Sequence, residues 1–183
     1  EFMNKALSHL HTINKHKLKV TWLCFRCHLY KQGLLHDLSK YSYIELKTGF
    51  HYYQGFRSPI DAEKEEKGYS LGWLHHKGRN KHHYEYWIDY SVATIDESMN
   101  PVTMPVKYVV EMFIDRVSAS KIYEKANYTD QKPLEYFERA KFPGIMCEKT
   151  YRQLKMLLVM LAKCGEKETY RYIRKVVLKN KIR

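Results

Sequence analysis

Gly33-Leu34-Leu35-His36-Asp37-Leu38-Ser39-Lys40 sets an imidazole and a carboxylate side by side at the end of an apolar run. The pair offers a neutral ring nitrogen and a carboxylate able to bridge ions, which suits a borderline transition metal better than calcium or magnesium. Two ligands do not make a site, so the surrounding chain decides the reading. His16 lies upstream, His75, His76, His82 and His83 lie downstream, and Asp115 interrupts an apolar helical pattern. His16 precedes His36 by twenty residues, enough for a helix to run out, turn and return, so the two side chains can meet in a bundle core.

Upstream, Leu7, Leu10, Ile13, Leu18, Trp22, Phe25 and Leu29 recur at close to helical spacing with no proline or glycine before Gly33, which predicts one long helix or two across Asn4 to Gln32. Cys24-Phe25-Arg26-Cys27-His28 matches a haem-attachment pattern, but it falls inside that helix in a chain with no export signal. With Cys147 and Cys164 isolated, the expectation is cysteines packed as small apolar groups. Downstream, a helix continuing from Tyr41 to Phe50 places Glu45 about two turns past Asp37 on the same face, as a supporting or proton-transfer carboxylate or as a surface glutamate. Gly49, Gly55, Pro59 and the charged run Asp61 to Lys67 predict a loop and a short solvated helix, a candidate lid.

His75/His82 and His76/His83 are each seven apart, and an unbroken helix would separate either pair by about 10 Å, too far for one ion. Lys77-Gly78-Arg79-Asn80 has turn composition, so a break there folds the doublets together. The preferred ligands are His76 with His82 or His83, leaving His75 as a substrate contact or as a support behind the ligands; a surface histidine cluster is the alternative. Lys77, Arg79 and Lys81 are placed to cradle phosphate oxygens, or form a solvated basic loop, and Asn80 orients a ligand or occupies a left-handed turn position. Asp115 sits in a helix predicted over Val106 to Lys125. A buried, unpaired carboxylate costs several kcal/mol, so on the core face it needs a cation or donors opposite it. Glu111, one turn earlier, extends the polar patch and counts as a candidate substrate contact.

Asn100-Pro101 and Pro105 fence off a linker, and further helices are expected at Leu134 to Phe142, Met146 to Cys164 and Glu166 to Lys179, with breaks at Pro143-Gly144 and Gly165. The basic amphipathic end, Tyr170 to Arg183, reads as a helix packed on the domain, with nucleic-acid or oligomer contact as the second reading. The 183 residues make one domain over 3–183, with a core about 9–125 and a helical extension about 131–183; Glu1-Phe2 reads as a cloning remnant. A hydrophobic fraction of 44% with sixteen tyrosines excludes a disordered chain, and a net charge of +12 favours anionic partners. The cysteine pattern points to a reducing cytoplasm, and the longest apolar run, Leu154 to Ala162, is too short for a membrane span.

The order His16, His36-Asp37, a later histidine pair and Asp115 resembles the HD-domain superfamily of helical, metal-dependent phosphohydrolases and phosphodiesterases. His16-Lys17-Leu18-Lys19-Val20 is similar to the family's first histidine with valine four later, Leu34 to Lys40 resembles its leucine-rich His-Asp motif ending in lysine, and Ile114-Asp115-Arg116-Val117-Ser118 resembles the last motif. Trp73 to Trp87 looks like a bacterial and phage branch of unassigned function, and the likeness spans roughly His16 to Ser120. It implies an all-α, HD-like bundle with additional C-terminal helices. His16, His36, Asp37, His76, His82 or His83, and Asp115 would hold one or two ions of Mn, Fe, Co, Ni or Zn. Catalytic work falls to Asp37, Lys40 and Glu45, with Lys40 meeting phosphate, on a nucleotide-like phosphoester or phosphoanhydride. The rivals are a di-iron centre that activates oxygen and a non-catalytic basic module that binds nucleic acid or protein.

Overall fold

The computed structural model describes residues 2–92, 99–140 and 145–179. Glu1, the expected Pro143-Gly144 break and the basic tail from Lys181 to Arg183 lie outside them. Helix α1 (Phe2–Arg26) turns Ile13, Val20, Leu23 and Cys24 inward, and Cys27 follows it into the core. It ends where His28 adopts a left-handed backbone, and the short α2 (Tyr30–Leu35) runs back along it. The first helical stretch is therefore two helices. Cys24 and Cys27 are wholly buried free thiols, and burial pushes the Cys27 thiol up to about 12.

Close packing of α2 on α1 fixes the His-Asp pair. A Cβ on Gly33 would lie 2.9 Å from the Cys24 Cβ and 3.2 Å from the Thr21 Cα, so only glycine permits this approach. Thr21 Oγ1 donates to the Gly33 carbonyl at 2.8 Å, and Lys17 Nζ donates to the carbonyls of Leu34 and His36 at 2.9 and 2.8 Å. These side chains satisfy acceptors that a helix end leaves open. Gly33→Ala is expected to cost about 1–3 kcal/mol by overpacking, lowering Tm by roughly 3–10 °C in a thermal melt for a chain of this size. An unchanged Tm would mean that α2 can leave α1 freely.

Asp37 takes a left-handed backbone at φ 54, and a 3-10 turn follows over Leu38–Tyr41. The expected continuous helix from Tyr41 is thus corrected: α3 (Tyr43–Tyr52) starts anew after Ser42. Helix α4 (Pro59–Lys67) is capped by Ser58 and carries proline in its first turn. It docks through Glu63, a buried carboxylate that accepts from Thr48 and Ser70 at 3.1 and 2.5 Å. Helix α5 (Leu71–Lys77) begins at Ser70, whose hydroxyl accepts from the Trp73 amide.

A two-stranded antiparallel ribbon, β1 (Ile88–Tyr90) with β2 (Met99–Pro101), replaces part of the expected linker, pairing Ile88 with Pro101 and Tyr90 with Met99. Pro101 fits because a ribbon edge needs no donor from it. Helix α6 (Val106–Glu124) buries Val109, Val110, Phe113, Ile114 and Val117 between α1 and α8. Helix α7 (Lys132–Arg139) starts earlier than expected and packs on α8 (Glu148–Tyr172). Gly165 breaks α8 as expected, with φ 74 and ψ 173, a backbone essentially restricted to glycine. A π-helical turn, Ile173–Val177, completes the described chain. The described fold is all-α apart from the ribbon, and none of its helices is long and apolar enough to cross a membrane.

Candidate metal centre

Four segments converge on Asp37. Helix α1 supplies His16, the α2 hairpin His36, α5 and the turn after it His76, His82 and His83, and α6 Asp115 and Glu111. The ligand atoms fall into two sets that share Asp37: His16, His36, Asp37 and Asp115, and Asp37, His76, His82 and His83, with all atoms of a set within 4.8 Å of one another. In the first set His16 Nε2 lies 2.8 Å from Asp115 Oδ1, and His36 Nε2 lies 3.3 Å from Asp37 Oδ2 and 3.4 Å from Asp115 Oδ1. In the second, His76 Nε2 and His82 Nε2 each lie 3.3 Å from Asp37 Oδ1, while the Nε2 atoms of His76 and His83 approach to 2.9 Å. Donors about 2.1 Å from a tetrahedral ion stand roughly 3.4 Å apart. The four spacings of 3.3–3.4 Å around Asp37 and His36 match that separation, while the 2.8 and 2.9 Å pairs, His16 with Asp115 and His76 with His83, are at hydrogen-bond distance.

Whether these residues fit a transition ion turns on the buried atoms. His36 Nε2, His82 Nε2 and both carboxylate oxygens of Asp37 are sealed from solvent with no directed hydrogen bond; Lys40 Nζ, 2.7 Å from Oδ2, makes only an ionic contact. Three polar atoms without a partner, His36 Nε2, His82 Nε2 and Asp37 Oδ1, facing one another in a core would be costly unless a cation takes them as ligands. The opposite ring nitrogens are satisfied. His36 Nδ1 and His82 Nδ1 lie 3.0 and 3.2 Å from Glu111 Oε1, and His76 Nδ1 lies 2.7 Å from Glu45 Oε2. A carboxylate behind each ring fixes the Nδ1–H tautomer and turns the Nε2 lone pair inward. Imidazole and carboxylate donors together fit Mn, Fe, Co, Ni or Zn.

Charge is balanced by proximity. Burial would push the Asp37 carboxyl up, but His36, Lys40 and His76 hold it well below the usual carboxylate range, and hydrogen bonds and charge from His16 and His36 do the same for Asp115. Burial and Lys40 lower the His16 ring, and burial with His82 and His76 holds His83 well below its ordinary value, leaving both neutral at pH 7. Burial also opposes charge on His36, yet the negative charge of Asp37 and the adjacent carboxylates of Asp115 and Glu111 raise it well above the imidazole range. A metal-free protein therefore carries a protonated His36 at pH 7, and an ion that takes Nε2 must displace that proton. Calorimetric titration with Mn or Zn in buffers of different ionisation enthalpy should report proton release, with affinity weakening as pH falls; uptake without proton release would mean His36 is not a ligand.

A cavity of about 610 Å3 opens beside the cluster, reaching His16, Asp37, His76, His83 and Asp115. Lys40 and Glu45 line it. His75, Lys77, Arg79, Asn80, Lys81 and Glu111, the expected substrate contacts, are not among its lining residues. His75 Nδ1 binds Glu45 at 2.7 Å, Arg79 donates to the His75 carbonyl, and Lys81 lies over the Tyr86 ring. Asn80 is buried as a clamp, donating to Ser39 Oγ at 2.7 Å and to the His76 carbonyl at 2.8 Å. Glu45 reaches the centre from the new helix α3, not from a helix shared with Asp37. Reasoning on the sequence missed Arg116, Lys64, Tyr123 and Tyr136, which do line the cavity. Arg116 carried a signal, a cation beside Asp115 on an otherwise apolar helix.

The family described as "Family of unknown function (DUF5662)" matches residues 5–160. No curated protein and no solved structure matches the chain. The matched span holds every residue of the two ligand sets, and the chain belongs to DUF5662, a family of unknown function.

Proposed function

We propose that this chain is an HD-type, metal-dependent phosphohydrolase or phosphodiesterase of the reducing cytoplasm, acting on a nucleotide-like phosphoester or phosphoanhydride. The observation that carries the reading is the set of buried, unsatisfied ligand atoms on His36, His82 and Asp37, arranged in two groups around one shared carboxylate. A divalent transition ion, when bound, supplies Lewis-acid polarisation of a phosphoryl oxygen and acidifies water. The chain's own residues do the rest. Lys40 faces the cavity with its ammonium held charged by Asp37, although burial opposes this, and offsets charge on phosphoryl oxygens. Arg116 lines the same cavity and presents a planar fork suited to phosphate. Glu45 holds the His76 ring in place. The cavity volume lies in the range of small-molecule sites, and Trp73, Tyr123 and Tyr136 give it aromatic walls for a base.

The test pairs elemental analysis with phosphate release. Tag-free protein should carry about one or two equivalents of a transition metal and hydrolyse at least one member of a nucleotide panel, while an Asp37→Ala, Asp115→Ala double variant should do neither. Parent-level metal and turnover in the double variant would overturn the reading.

A further inference from the structure

The net charge of this chain is not spread over it. Residues 2–36 and 169–183 hold twelve of the 32 Lys and Arg and none of the 20 Asp and Glu. Elsewhere twenty cations face twenty acids, so these two stretches account for the entire +12.

The fold brings the two together. Arg174, in the π-helical turn, donates to the Arg26 carbonyl at the end of α1 at 2.7 Å, and the Arg26 guanidinium lies 4.7 Å from the Tyr170 ring and 4.9 Å from the Trp22 ring. Glu166 and Glu168 are carboxylates at the margin, and both are already paired, Glu166 with Arg26 and Lys121 and Glu168 with Arg171. Along α1, His11, Lys15, Leu18, Trp22 and Phe25 follow helical spacing on one outward stripe. Large apolar groups stay in water there: Leu18 is 70% exposed, Trp22 54%, Phe25 38% and, from α2, Tyr30 53%. Lys19 and Arg26 flank the Trp22 ring, and the Phe25 and Tyr30 rings meet edge to face at 5.2 Å. At the other end of the stripe, His11 and Lys15 join Tyr53 and Lys125 around a second groove that shares Thr12, Ile122 and Tyr123 with the main cavity.

We propose that this acid-free face of α1, continued by α2 and the C-terminal π-helical turn, is a track for single-stranded nucleic acid. Clustered cations without acids attract a polyanion, and exposed rings between them offer stacking surfaces that suit unpaired bases. From His11 to Arg26 the stripe covers sixteen residues, roughly 22 Å at the rise of a helix, enough for several nucleotides. A duplex hides the faces of its bases from these rings. A second copy of the chain would bring the same uncompensated positive charge to the contact. Binding here does not depend on the proposed hydrolase activity.

The test is fluorescence anisotropy of a fluorescein-labelled 20-nucleotide oligo(dT), with full-length protein in chelator so that turnover plays no part. Binding should exceed that of a duplex of equal length and weaken about tenfold or more between 50 and 200 mM salt. A Trp22→Ala, Phe25→Ala, Tyr30→Ala variant should bind at least tenfold more weakly, as should Lys15→Glu, Lys19→Glu. Lys107→Glu, Lys149→Glu makes the same charge change outside the two stretches and should stay within about twofold of the parent. If the aromatic variant fails to fold by circular dichroism, the two charge variants decide alone. No oligonucleotide binding at 50 mM salt, equal losses in the two charge variants, or preference for duplex overturns the proposal. So does a parent dimer, by light scattering, that the aromatic variant dissociates, which would make the face a self-association surface. Binding to vesicles of anionic phospholipid with none to oligonucleotide also overturns it.

Discussion

Asp37→Asn is expected to reduce the bound transition metal to less than about a tenth of the parent's and to slow phosphate release on the order of a thousandfold, with the helical circular-dichroism spectrum intact. Asp37 is the one residue common to both ligand sets: its Oδ1 faces His76 and His82, and its Oδ2 faces His36. An amide keeps the volume but removes the negative charge, and one of its two ends becomes a donor that cannot bind a cation. Losing the ion's stabilisation of transition-state charge is worth several kcal/mol, and about 4 kcal/mol corresponds to three orders of magnitude in rate. The fold should survive because Lys40, which loses its partner, lies at the cavity wall and reaches water. Elemental analysis and phosphate release on the same preparations check both halves. Parent-level metal in Asp37→Asn would mean that the shared carboxylate is not a ligand.

How much of this centre was legible depended on what each position requires. The meeting of His16 and His36 followed from spacing and from Gly33, and their rings stand 5.6 Å apart. The turn composition of Lys77 to Asn80 correctly signalled the fold-back: the amides of Arg79 and Asn80 both donate to the His76 carbonyl, and the chain reverses to bring His82 and His83 beside His76. That same reversal explains the misplaced basic residues. A turn that points its flanking histidines inward points its own tip outward, so Lys77, Arg79 and Lys81 lie near the centre in sequence and off the cavity in space. Choosing between His75 and His76 needed tertiary information, since neighbours on a helix differ by about 100° and both rings end on Glu45. The break after Asp37 was hidden because a left-handed aspartate leaves no mark in hydrophobic periodicity. Arg116, Tyr123 and Tyr136 gain meaning only once α6 and α7 are placed around the cavity.

Glu111 is the position where sequence proximity and role diverge most, and it carries the second large expected effect. It lies one turn before Asp115 and so shares its face of α6, which suggested a contact with substrate. Its Oε1 instead takes the Nδ1 groups of His36 and His82, one ring from each ligand set. Glu111→Gln keeps the shape but weakens the acceptor and offers a donor to rings that need an acceptor. Loss of such an outer carboxylate typically costs 10–100-fold in metal affinity. Here the loss should fall on both sets together, whereas Glu45→Gln, which removes a hydrogen bond to only His76 among the seven ligands, should weaken one set. Metal titration against a competing chelator distinguishes the two patterns, and parent affinity in Glu111→Gln would remove Glu111 from the centre. The pH dependence of the metal-free protein gives an independent check. Burial would raise the Glu111 carboxyl, but hydrogen bonds from His36 and His82 hold it below its ordinary value. A depressed carboxylate contributes stability above the unfolded value, about 4.3, and loses it as pH falls through the folded value. The Tm advantage of parent over Glu111→Gln should therefore be full near pH 7, begin to shrink below about pH 4.3 and vanish once the pH has fallen through the lower folded value. An advantage that persisted in acid would mean that the charge on Glu111 is not what holds the two rings.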